Sequence, residues 1–280
     1  MTQIGSTAGE LSISVPGRPE IVLSIAWGAA TDTGHKRSHN EDSFVAKSPI
    51  FAVADGMGGH SAGDIASAAV VTRLAEIISA DFTEADSIEQ GLRTATVDIG
   101  RAADEKELGV GTTVTGAALT LQDGDPCWIV FNVGDSRVYM FEHNELIQVS
   151  VDHSVVQELV DSGIIRAEDA ESHPDSNVIT RAVGFNAEPM PDYWMVPVRK
   201  GVRLLLCSDG LTKELDRERI RLHLAAGLTP AETAQALVDA ALAAGGRDNV
   251  TTIVVDVVDS TGGFDLDHTI PRGGPVSPRR

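Results

Sequence analysis

Two kinds of apolar segment alternate along the sequence, and this alternation restricts the fold more than any other feature. Short runs rich in Val, Ile, Leu and Thr, most of them bounded by Gly, Asp or Asn, predict β-strands. They read IVLSIAWGAA, FVAKSPIFAVAD, TTVTGAALTL, CWIVFNVGD, RVYMFEHNELIQV, RLLLCSDG and VTTIVVDVV. Segments with helical spacing lie between them: IASAAVVTRLAEII, IEQGLRTATVDIGRAADEKEL and PAETAQALVDAALAAGG. Because short turns such as QDGD and EHNE join the middle strands, we expect an α+β fold of antiparallel sheets with helices packed outside them.

Length and local composition predict the domain organisation. A chain of 280 residues with 42% hydrophobic content is large enough to bury one sizeable core. Residues 1–20 lack periodicity and carry many Ser, Thr and Gly residues, so we predict a mobile leader there. The segment after Asp259 has too few apolar residues to pack. We therefore predict one folded domain over 21–259 and a disordered tail over 260–280.

Charge and cysteine usage restrict the partners and the compartment. The chain has 22 basic and 41 acidic residues, and a net charge of -19 repels nucleic acid and anionic membrane surfaces. The apolar run near the N-terminus is too short to cross a bilayer, and no Lys-rich segment precedes it. Cys127 and Cys207 each lie in an apolar strand-like run, which predicts buried thiols in a reducing compartment. We expect a cytoplasmic monomer that binds neither nucleic acid nor membrane.

Acidic residues recur where predicted strands end. Asp55 ends the run FAVAD, Asp135 and Asp209 follow two later strands, and Asp248 directly precedes the last one. Each of them alone is explained as a turn residue, because Asp beside Gly is common in hairpins. Together, and with the acidic pair in RSHNEDS, they predict carboxylates that converge at one edge of the sheets.

Converging carboxylates repel one another and resist burial unless a cation compensates them. Oxygen ligands without His or Cys favour Mg²⁺ or Mn²⁺. The glycines after Asp55 fit this interpretation: Gly56 lets a backbone carbonyl approach an ion, and Gly58 and Gly59 allow a sharp exit into the next helix. The sequence therefore predicts a metal centre at the end of this strand.

Eight further motifs follow one another over nearly all of 25–258: GHKRSHNEDS, VADGMGGH, GTT, NVGDSRVY, DHS, GIIRAEDAESHPDSNVITRAVG, LLLCSDGL and GGRDNVT. In content and in order they resemble the motifs of the metal-dependent Ser/Thr protein phosphatases of type 2C, in their bacterial form. The resemblance implies a four-layer α-β-β-α sandwich of two stacked antiparallel sheets flanked by helices. It also implies two divalent ions at one end of the sandwich and a flap over 152–184.

The resemblance further assigns the metal ligands. It makes Asp55 the ligand shared by both ions, Asp209 and Asp248 ligands of the first, and the Gly56 carbonyl a ligand of the second. Glu41 would serve the second ion directly or through water. Asp42 would lie behind the ligands and orient them. Asp135, with Asp209, would form a weaker third site.

The chemistry implied by the resemblance is hydrolysis of phosphoserine and phosphothreonine in proteins. A water that bridges two Mn²⁺ or Mg²⁺ ions would attack phosphorus in line, without a covalent phosphoenzyme. Arg37 matches the arginine that holds the substrate phosphate. Eukaryotic members have a histidine directly after the Asp-Gly pair, whereas this chain has Met57 there and His60 as the nearest histidine. His60 is thus a candidate general acid and equally a helix-start residue.

Two other phosphatase mechanisms are less consistent with the sequence. Cys207 precedes an acid and a glycine, but Lys213 stands where a thiolate phosphatase needs an arginine. The stretch FDLDHT has the spacing of aspartyl-phosphate hydrolases, but it lacks the preceding strand and the following domain. A pseudoenzyme and a small-molecule phosphatase or phosphodiesterase remain as alternatives, and every ligand position expected of an active enzyme is filled.

The tail contains Thr269, with acidic residues upstream and Pro271-Arg272 downstream. The simpler interpretation is a solvated segment. The alternative is that a Ser/Thr kinase opposing this enzyme phosphorylates Thr269. The phosphothreonine would then dock on a phosphothreonine-reading domain or enter the phosphatase's own active site, where an arginine would attract its negative charge. Phosphorylated proteins and such a kinase are the partners that we expect.

Overall fold

A computed structural model of the chain describes residues 1–58, 62–102, 110–170, 172–186 and 188–261. The strands are β1 (Gln3–Gly5), β2 (Ala8–Val15), β3 (Arg18–Asp32), β4 (Asp42–Lys47), β5 (Ile50–Met57), β6 (Gly111–Thr112), β7 (Val114–Gln122), β8 (Asp125–Val133), β9 (Arg137–Glu142), β10 (Glu145–Gln148), β11 (Asp192–Pro197), β12 (Arg203–Cys207) and β13 (Val250–Thr261). The helices are α1 (Ala62–Glu76), α2 (Ala85–Ala102), α3 (Val155–Asp161), α4 (Asp209–Thr212), α5 (Arg217–Leu224) and α6 (Pro230–Ala244), with a 3-10 turn at Ala167–Asp169.

The strands form two sheets. The first has the order β1-β4-β5-β7-β8-β11, with β6 paired to β5, and the second has the order β10-β9-β12-β13-β3-β2. Every strand pair is antiparallel except the edge pair β1 and β4. The predicted antiparallel α+β fold is thus confirmed, and one parallel edge strand is added to it.

Both faces of the central strands are buried, which explains why these strands read as unbroken apolar runs. In β5, Phe51 and Val53 point into the core between the sheets, whereas Ala52 and Ala54 point to the side covered by α1 and α2. The ring of Phe51 meets Trp27 edge-on at 5.2 Å and Trp128 at 6.1 Å between centroids. These aromatic contacts join the two sheets at their centre.

Three apolar cores give the described residues four layers. The first lies between the sheets, the second joins the first sheet to α1 and α2, and the third joins the second sheet to α5 and α6. The order is therefore helix, sheet, sheet, helix, as predicted. No helix in the described ranges is both long enough and apolar enough to pass through a bilayer.

The prediction of a mobile leader over 1–20 is wrong. β1 pairs with β4 and β2 pairs with β3, so this segment extends one edge of each sheet. Ile13 and Val15 are 2% exposed and belong to the core between the sheets. The indole nitrogen of Trp27 donates to the Ser6 carbonyl at 2.8 Å. The alternation in SISV is a short strand signal that the Ser-rich and Gly-rich surroundings obscured.

Several other sequence predictions can be compared with the structure. Cys127 and Cys207 are both buried, as predicted. The predicted tail begins too early, because Ser260 still belongs to β13 and pairs with Leu23 of β3. The rest of the tail from 262 onward, with Thr269 and FDLDHT, lies outside the described residues, and so does His60. The last part of the predicted second helix, 103–109, also lies outside them.

Truncating a side chain of β2 tests whether the N-terminal segment belongs to the fold. We expect Ile13→Ala to lower the free energy of unfolding by about 2 to 4 kcal/mol, because it removes methyl groups from a closed core. Leu11→Ala is the matched control on the same strand, since Leu11 is 36% exposed. We expect the control to cost about 1 kcal/mol or less in urea unfolding. Equal small losses for both variants would contradict the assignment of β2 to the core.

Candidate active site

Five acidic residues lie at one end of the sandwich because the strands that carry them start or stop there. Asp42 begins β4 and lies opposite Asp55, near the end of β5. Asp135 follows β8, Asp209 follows β12 and begins α4, and Asp248 precedes β13. Antiparallel pairing brings the end of one strand beside the start of the next. The predicted convergence of these acids is therefore explained by the topology.

A cleft of about 830 Å³ opens at this end. Its lining includes all the predicted metal ligands and the predicted phosphate-binding residue: Arg37, Glu41, Asp55, Gly56, Asp135, Asp209 and Asp248. Asp42 does not line the cleft but lies behind it, fully buried. The structure thus brings together the predicted site residues that it describes.

Asp42 is held by two hydroxyl groups. Its Oδ2 accepts from Thr251 Oγ1 at 2.6 Å and from Ser208 Oγ at 2.9 Å, and its Oδ1 is buried without a hydrogen-bond partner. Burial raises the pKa of Asp42 to about 7, with help from the negative charges of Asp209 and Asp248, although the two hydroxyls oppose this. Asp42 is therefore a fixed carboxylate with one oxygen left to receive a further donor or cation.

Burial and neighbouring negative charge raise the pKa of two carboxylates at the cleft floor, Asp55 and Asp135. Burial and the charges of Asp42, Asp209, Asp135 and Asp248 raise the pKa of Asp55 well above its usual range. Burial and Asp209 likewise raise the pKa of Asp135 to about 7. Full ionisation of this set near neutral pH requires compensating positive charge.

Two basic side chains supply part of that charge. Arg37 contacts both oxygens of Asp248, with Nε 2.8 Å from Oδ1 and Nη2 3.0 Å from Oδ2. The Lys213 ammonium lies 2.5 Å from Asp209 Oδ2 and 3.1 Å from Asp248 Oδ2. Burial acts to raise the pKa of Asp248, yet Lys213 and Arg37 lower it overall. The role of Lys213 in this cluster was not predicted from the sequence.

The donor set fits hard divalent cations. The side chains predicted as ligands offer carboxylate oxygens, and Mg²⁺ and Mn²⁺ prefer such ligands. Asp209 Oδ1 and Asp42 Oδ1 are buried and unpaired, so acceptor capacity is left over at the centre. Within the described ranges, however, no group of acidic, His or Cys side chains is close enough to enclose an ion by itself. The carboxylates line a common cleft and are spread around Arg37 and Lys213.

The glycines that follow Asp55 and Asp209 allow close backbone approach. A Cβ on Gly56 would lie 2.0 Å from the Gly63 carbonyl oxygen at the start of α1. A Cβ on Gly210 would lie 1.9 Å from the Asn249 carbonyl oxygen. Distances this short exclude any side chain at either position. Gly56 thus lets the start of α1 pack directly against the end of β5. Gly210 likewise lets the backbone beside Asp248 pack directly against the start of α4.

Asn249 positions the loop that carries Arg37 and Glu41, and sequence reasoning missed it. Its side chain accepts from the Glu41 amide at 2.8 Å and donates to the carbonyls of Thr33 and His39 at 2.8 and 3.0 Å. It is only 5% exposed. The available signal was the DN pair in GGRDNVT. An Asn side chain next to a predicted ligand can both accept a hydrogen bond from a backbone amide and donate to backbone carbonyls.

Hydrogen bonds also link Asp55 to the loop of Asp135. The Asp55 amide donates to Thr113 Oγ1 at 3.2 Å, and that hydroxyl shares a 2.8 Å hydrogen bond with Ser136 Oγ. The Thr113 amide donates back to the Asp55 carbonyl at 2.9 Å. The GTT motif therefore fixes the spacing between two carboxylates of the cleft floor.

The segment 152–184 forms one side of the cleft and is anchored at its base. Arg137 donates from Nη2 to Asp152 Oδ2 at 2.7 Å. His153 is buried, and its Nδ1 accepts from the Gly134 amide at 3.1 Å beside Asp135. Its Nε2 lies 3.1 Å from Asp192 Oδ2, and this hydrogen bond, with Arg181, lowers the pKa of Asp192. Ser154, Ser176, Asn177 and Ile179 of this segment line the cleft.

A family model and known relatives match this chain. The model described as protein phosphatase 2C matches residues 31–244. The serine/threonine protein phosphatase PstP of Mycobacterium tuberculosis is 39% identical over 261 residues, which is 90% of this chain and 48% of that protein. The chain thus spans about half the length of PstP. The serine/threonine phosphatase stp of Listeria monocytogenes is 37% identical over 239 residues, 81% of this chain and 93% of that protein.

Solved structures agree with these sequence matches. The crystal structure of the Mycobacterium tuberculosis phosphatase PstP/Ppp superposes with a TM-score of 0.76 at 35% identity, over 85% of this chain and all of that one. The catalytic domain of PstP in complex with two manganese ions gives a TM-score of 0.74 at 34% identity, again over 85% of this chain. The family-model match, the sequence identities and the superposed folds agree with one another. The chain belongs to the protein phosphatase 2C family.

Proposed function

We propose that this chain is a metal-dependent phosphoprotein phosphatase that hydrolyses phosphoserine and phosphothreonine. The observation that carries the proposal is the single cleft that collects Arg37 and every predicted ligand. Relatives that share the fold are named serine/threonine phosphatases, and one of them was crystallised with two manganese ions. Phosphorylated proteins and an opposing Ser/Thr kinase are the proposed partners, and a cytoplasmic monomer is the proposed form.

The proposed ligand roles are those that the family resemblance implies, and the shared cleft supports them. Asp55 lies on the cleft floor and is proposed to serve two Mn²⁺ or Mg²⁺ ions. Asp209 and Asp248 are proposed for the first ion, and the Gly56 carbonyl with Glu41 for the second. Asp135 with Asp209 is proposed to hold a weaker third ion. When bound, two such ions would supply a water of lowered pKa for attack on phosphorus and would neutralise charge on the phosphoryl oxygens.

The protein's own groups orient this chemistry. Asp42, fixed by Thr251 and Ser208, is proposed to orient ligands or waters from behind the cleft. Arg37 is proposed to hold the substrate phosphate, because its guanidinium is half exposed at the cleft and offers a planar pair of donors. The segment 152–184 is proposed as a flap against which the substrate chain lies.

A covalent thiol mechanism is less consistent with the structure. Cys207 is fully buried, and burial raises the pKa of its thiol to about 12. A thiol in that state supplies almost no thiolate for attack near neutral pH. Direct attack by water, without a covalent phosphoenzyme, is therefore proposed. His60 stays a candidate for protonation of the leaving oxygen.

Metal removal is the first test of this proposal. We expect hydrolysis of a phosphothreonine peptide in Mn²⁺ or Mg²⁺, complete loss in excess chelator, and recovery on adding the metal back. Thiol reductants should change nothing, because Cys207 has no role. Undiminished activity in excess chelator would contradict the mechanism. Preference for nucleotides or sugar phosphates over the peptide would favour a small-molecule phosphatase instead.

Two matched carboxylate variants test the ligand roles. We expect Asp55→Asn to lower kcat by a factor on the order of 10² to 10³, because Asp55 is proposed to serve two ions. Asp135→Asn should cost about tenfold or less, since it touches only the weaker third site. Steady-state kinetics at saturating Mn²⁺ measure both. Equal losses would mean that the shared ligand has been assigned incorrectly.

Substitution of Arg37 tests the phosphate-binding role. If Arg37 mainly holds the ground-state phosphate, Arg37→Ala should raise KM about tenfold and leave kcat nearly unchanged. Arg37→Lys keeps the charge but loses the planar fork, so we expect an intermediate KM. Kinetics identical to wild type in both variants would reduce Arg37 to a surface ion pair with Asp248.

A further inference from the structure

Lys213 occupies a position that the proposed function does not use. Its ammonium lies between the two carboxylates proposed for the first ion, 2.5 Å from Asp209 Oδ2 and 3.1 Å from Asp248 Oδ2. Two hydrogen bonds hold the backbone of Lys213. The Lys213 amide donates to the Asp209 carbonyl at 2.8 Å, and its own carbonyl accepts from Arg247 at 2.6 Å. The position of the ammonium therefore depends on the side-chain torsions alone.

The ammonium and a divalent ion would compete for the same two carboxylates. Carboxylate ligands bind Mg²⁺ at about 2.0 to 2.1 Å, which is closer than the ammonium nitrogen lies to either oxygen. An ion held by Asp209 Oδ2 and Asp248 Oδ2 would take the space where the ammonium now lies. Two positive charges at such short separation also repel each other strongly. The ammonium must therefore leave these oxygens before the ion can bind both of them.

The site is arranged so that this exchange is possible. Asp209 Oδ1 is buried without a partner, so Lys213 satisfies only one oxygen of this carboxylate. The Lys213 side chain is 32% exposed and lines the cleft, which leaves it a route toward solvent. Lysine carries its charge on a flexible four-carbon stem and can withdraw without backbone movement. A +2 ion also compensates the crowded carboxylates better than a single +1 charge.

We propose that Lys213 is an internal competitor of the metal, holding Asp209 and Asp248 in the metal-free protein and weakening the affinity for the first ion. The inference rests on the proposed function, because it takes these two carboxylates as ligands of that ion. It predicts that removing the ammonium tightens metal binding. It also predicts that the metal-free protein becomes less stable, because the carboxylate pair then lacks its compensating charge.

Calorimetric titration with Mn²⁺ tests the proposal without any assay of activity. The full chain is stripped of metal with chelator and dialysed, as wild type, as Lys213→Gln and as the control Lys200→Gln. Lys200 is an exposed lysine that pairs with Asp259 and does not line the cleft, so its variant should bind Mn²⁺ like wild type. We expect Lys213→Gln to bind the first ion about tenfold more tightly, a change of about 1.4 kcal/mol in binding free energy.

Thermal unfolding provides the second readout. Metal-free Lys213→Gln should melt below metal-free wild type, and saturating Mn²⁺ should remove that difference. An unchanged or weaker Mn²⁺ affinity in Lys213→Gln overturns the proposal. So does a raised KM for phosphothreonine peptide with Mn²⁺ affinity unchanged, which would make Lys213 a phosphate-binding residue. If Lys213→Gln does not fold, Lys213→Met keeps the apolar stem without charge and is judged by the same two measurements.

The proposed function and this inference can fail separately. Wild-type protein that binds no Mn²⁺ would overturn the proposed function and, with it, the role of Lys213. Wild-type protein that binds Mn²⁺ and hydrolyses the peptide, beside a Lys213→Gln variant of equal affinity, overturns only the role of Lys213.

Discussion

Mutual repulsion among carboxylates at one end of the sandwich is the constraint around which the rest of this site is arranged. Asp42 is fully buried and Asp55 and Asp135 are half-buried, and burial together with neighbouring charge raises the pKa of each. An arrangement of this kind costs stability unless positive charge enters it. Two hydroxyl groups donate to Asp42. Arg37 forms an ion pair with Asp248, and Lys213 forms one with Asp209. Within the part of the chain that the structure describes, Asp55 and Asp135 form no ion pair with a basic side chain, and theirs is the charge that divalent ions would balance.

The sandwich can tolerate this repulsion because the strands that carry the acids are fixed elsewhere. Phe51 on β5 packs between Trp27 and Trp128, so the strand that ends in Asp55 is anchored by aromatic contacts at the centre of the molecule. At the cleft, Gly56 and Gly210 let neighbouring backbone approach without a side chain between. The strands that carry the carboxylates are therefore held in place by the packing of the core and backbone, and not by hydrogen bonds or ion pairs of the carboxylates themselves. Sites built on rigid elements keep their geometry when a ligand enters or leaves.

Much of the fold and of the site followed from short-range patterns. The central strands were predictable because both faces are buried and the runs are continuously apolar, and α6 was predictable from its spacing and its terminal glycine pair. The acids at strand ends were predictable because they coincide with turns. β2 was missed because its outward residues are exposed and only Ile13 and Val15 mark the inner face. The roles of Asn249 and Lys213 were missed because both depend on contacts between segments that the sequence does not place beside each other.

Asp248 links the proposed metal centre to the proposed phosphate-binding residue. One of its oxygens, Oδ2, is shared by the Arg37 guanidinium at 3.0 Å and the Lys213 ammonium at 3.1 Å. An ion that draws on this carboxylate weakens its hold on both basic groups at once, because the negative charge that attracted them is then partly neutralised. Arg37 would then be freer to turn toward a phosphate. The same carboxylate would thus couple the binding of the proposed first ion to the availability of the residue proposed to hold the substrate, through electrostatics.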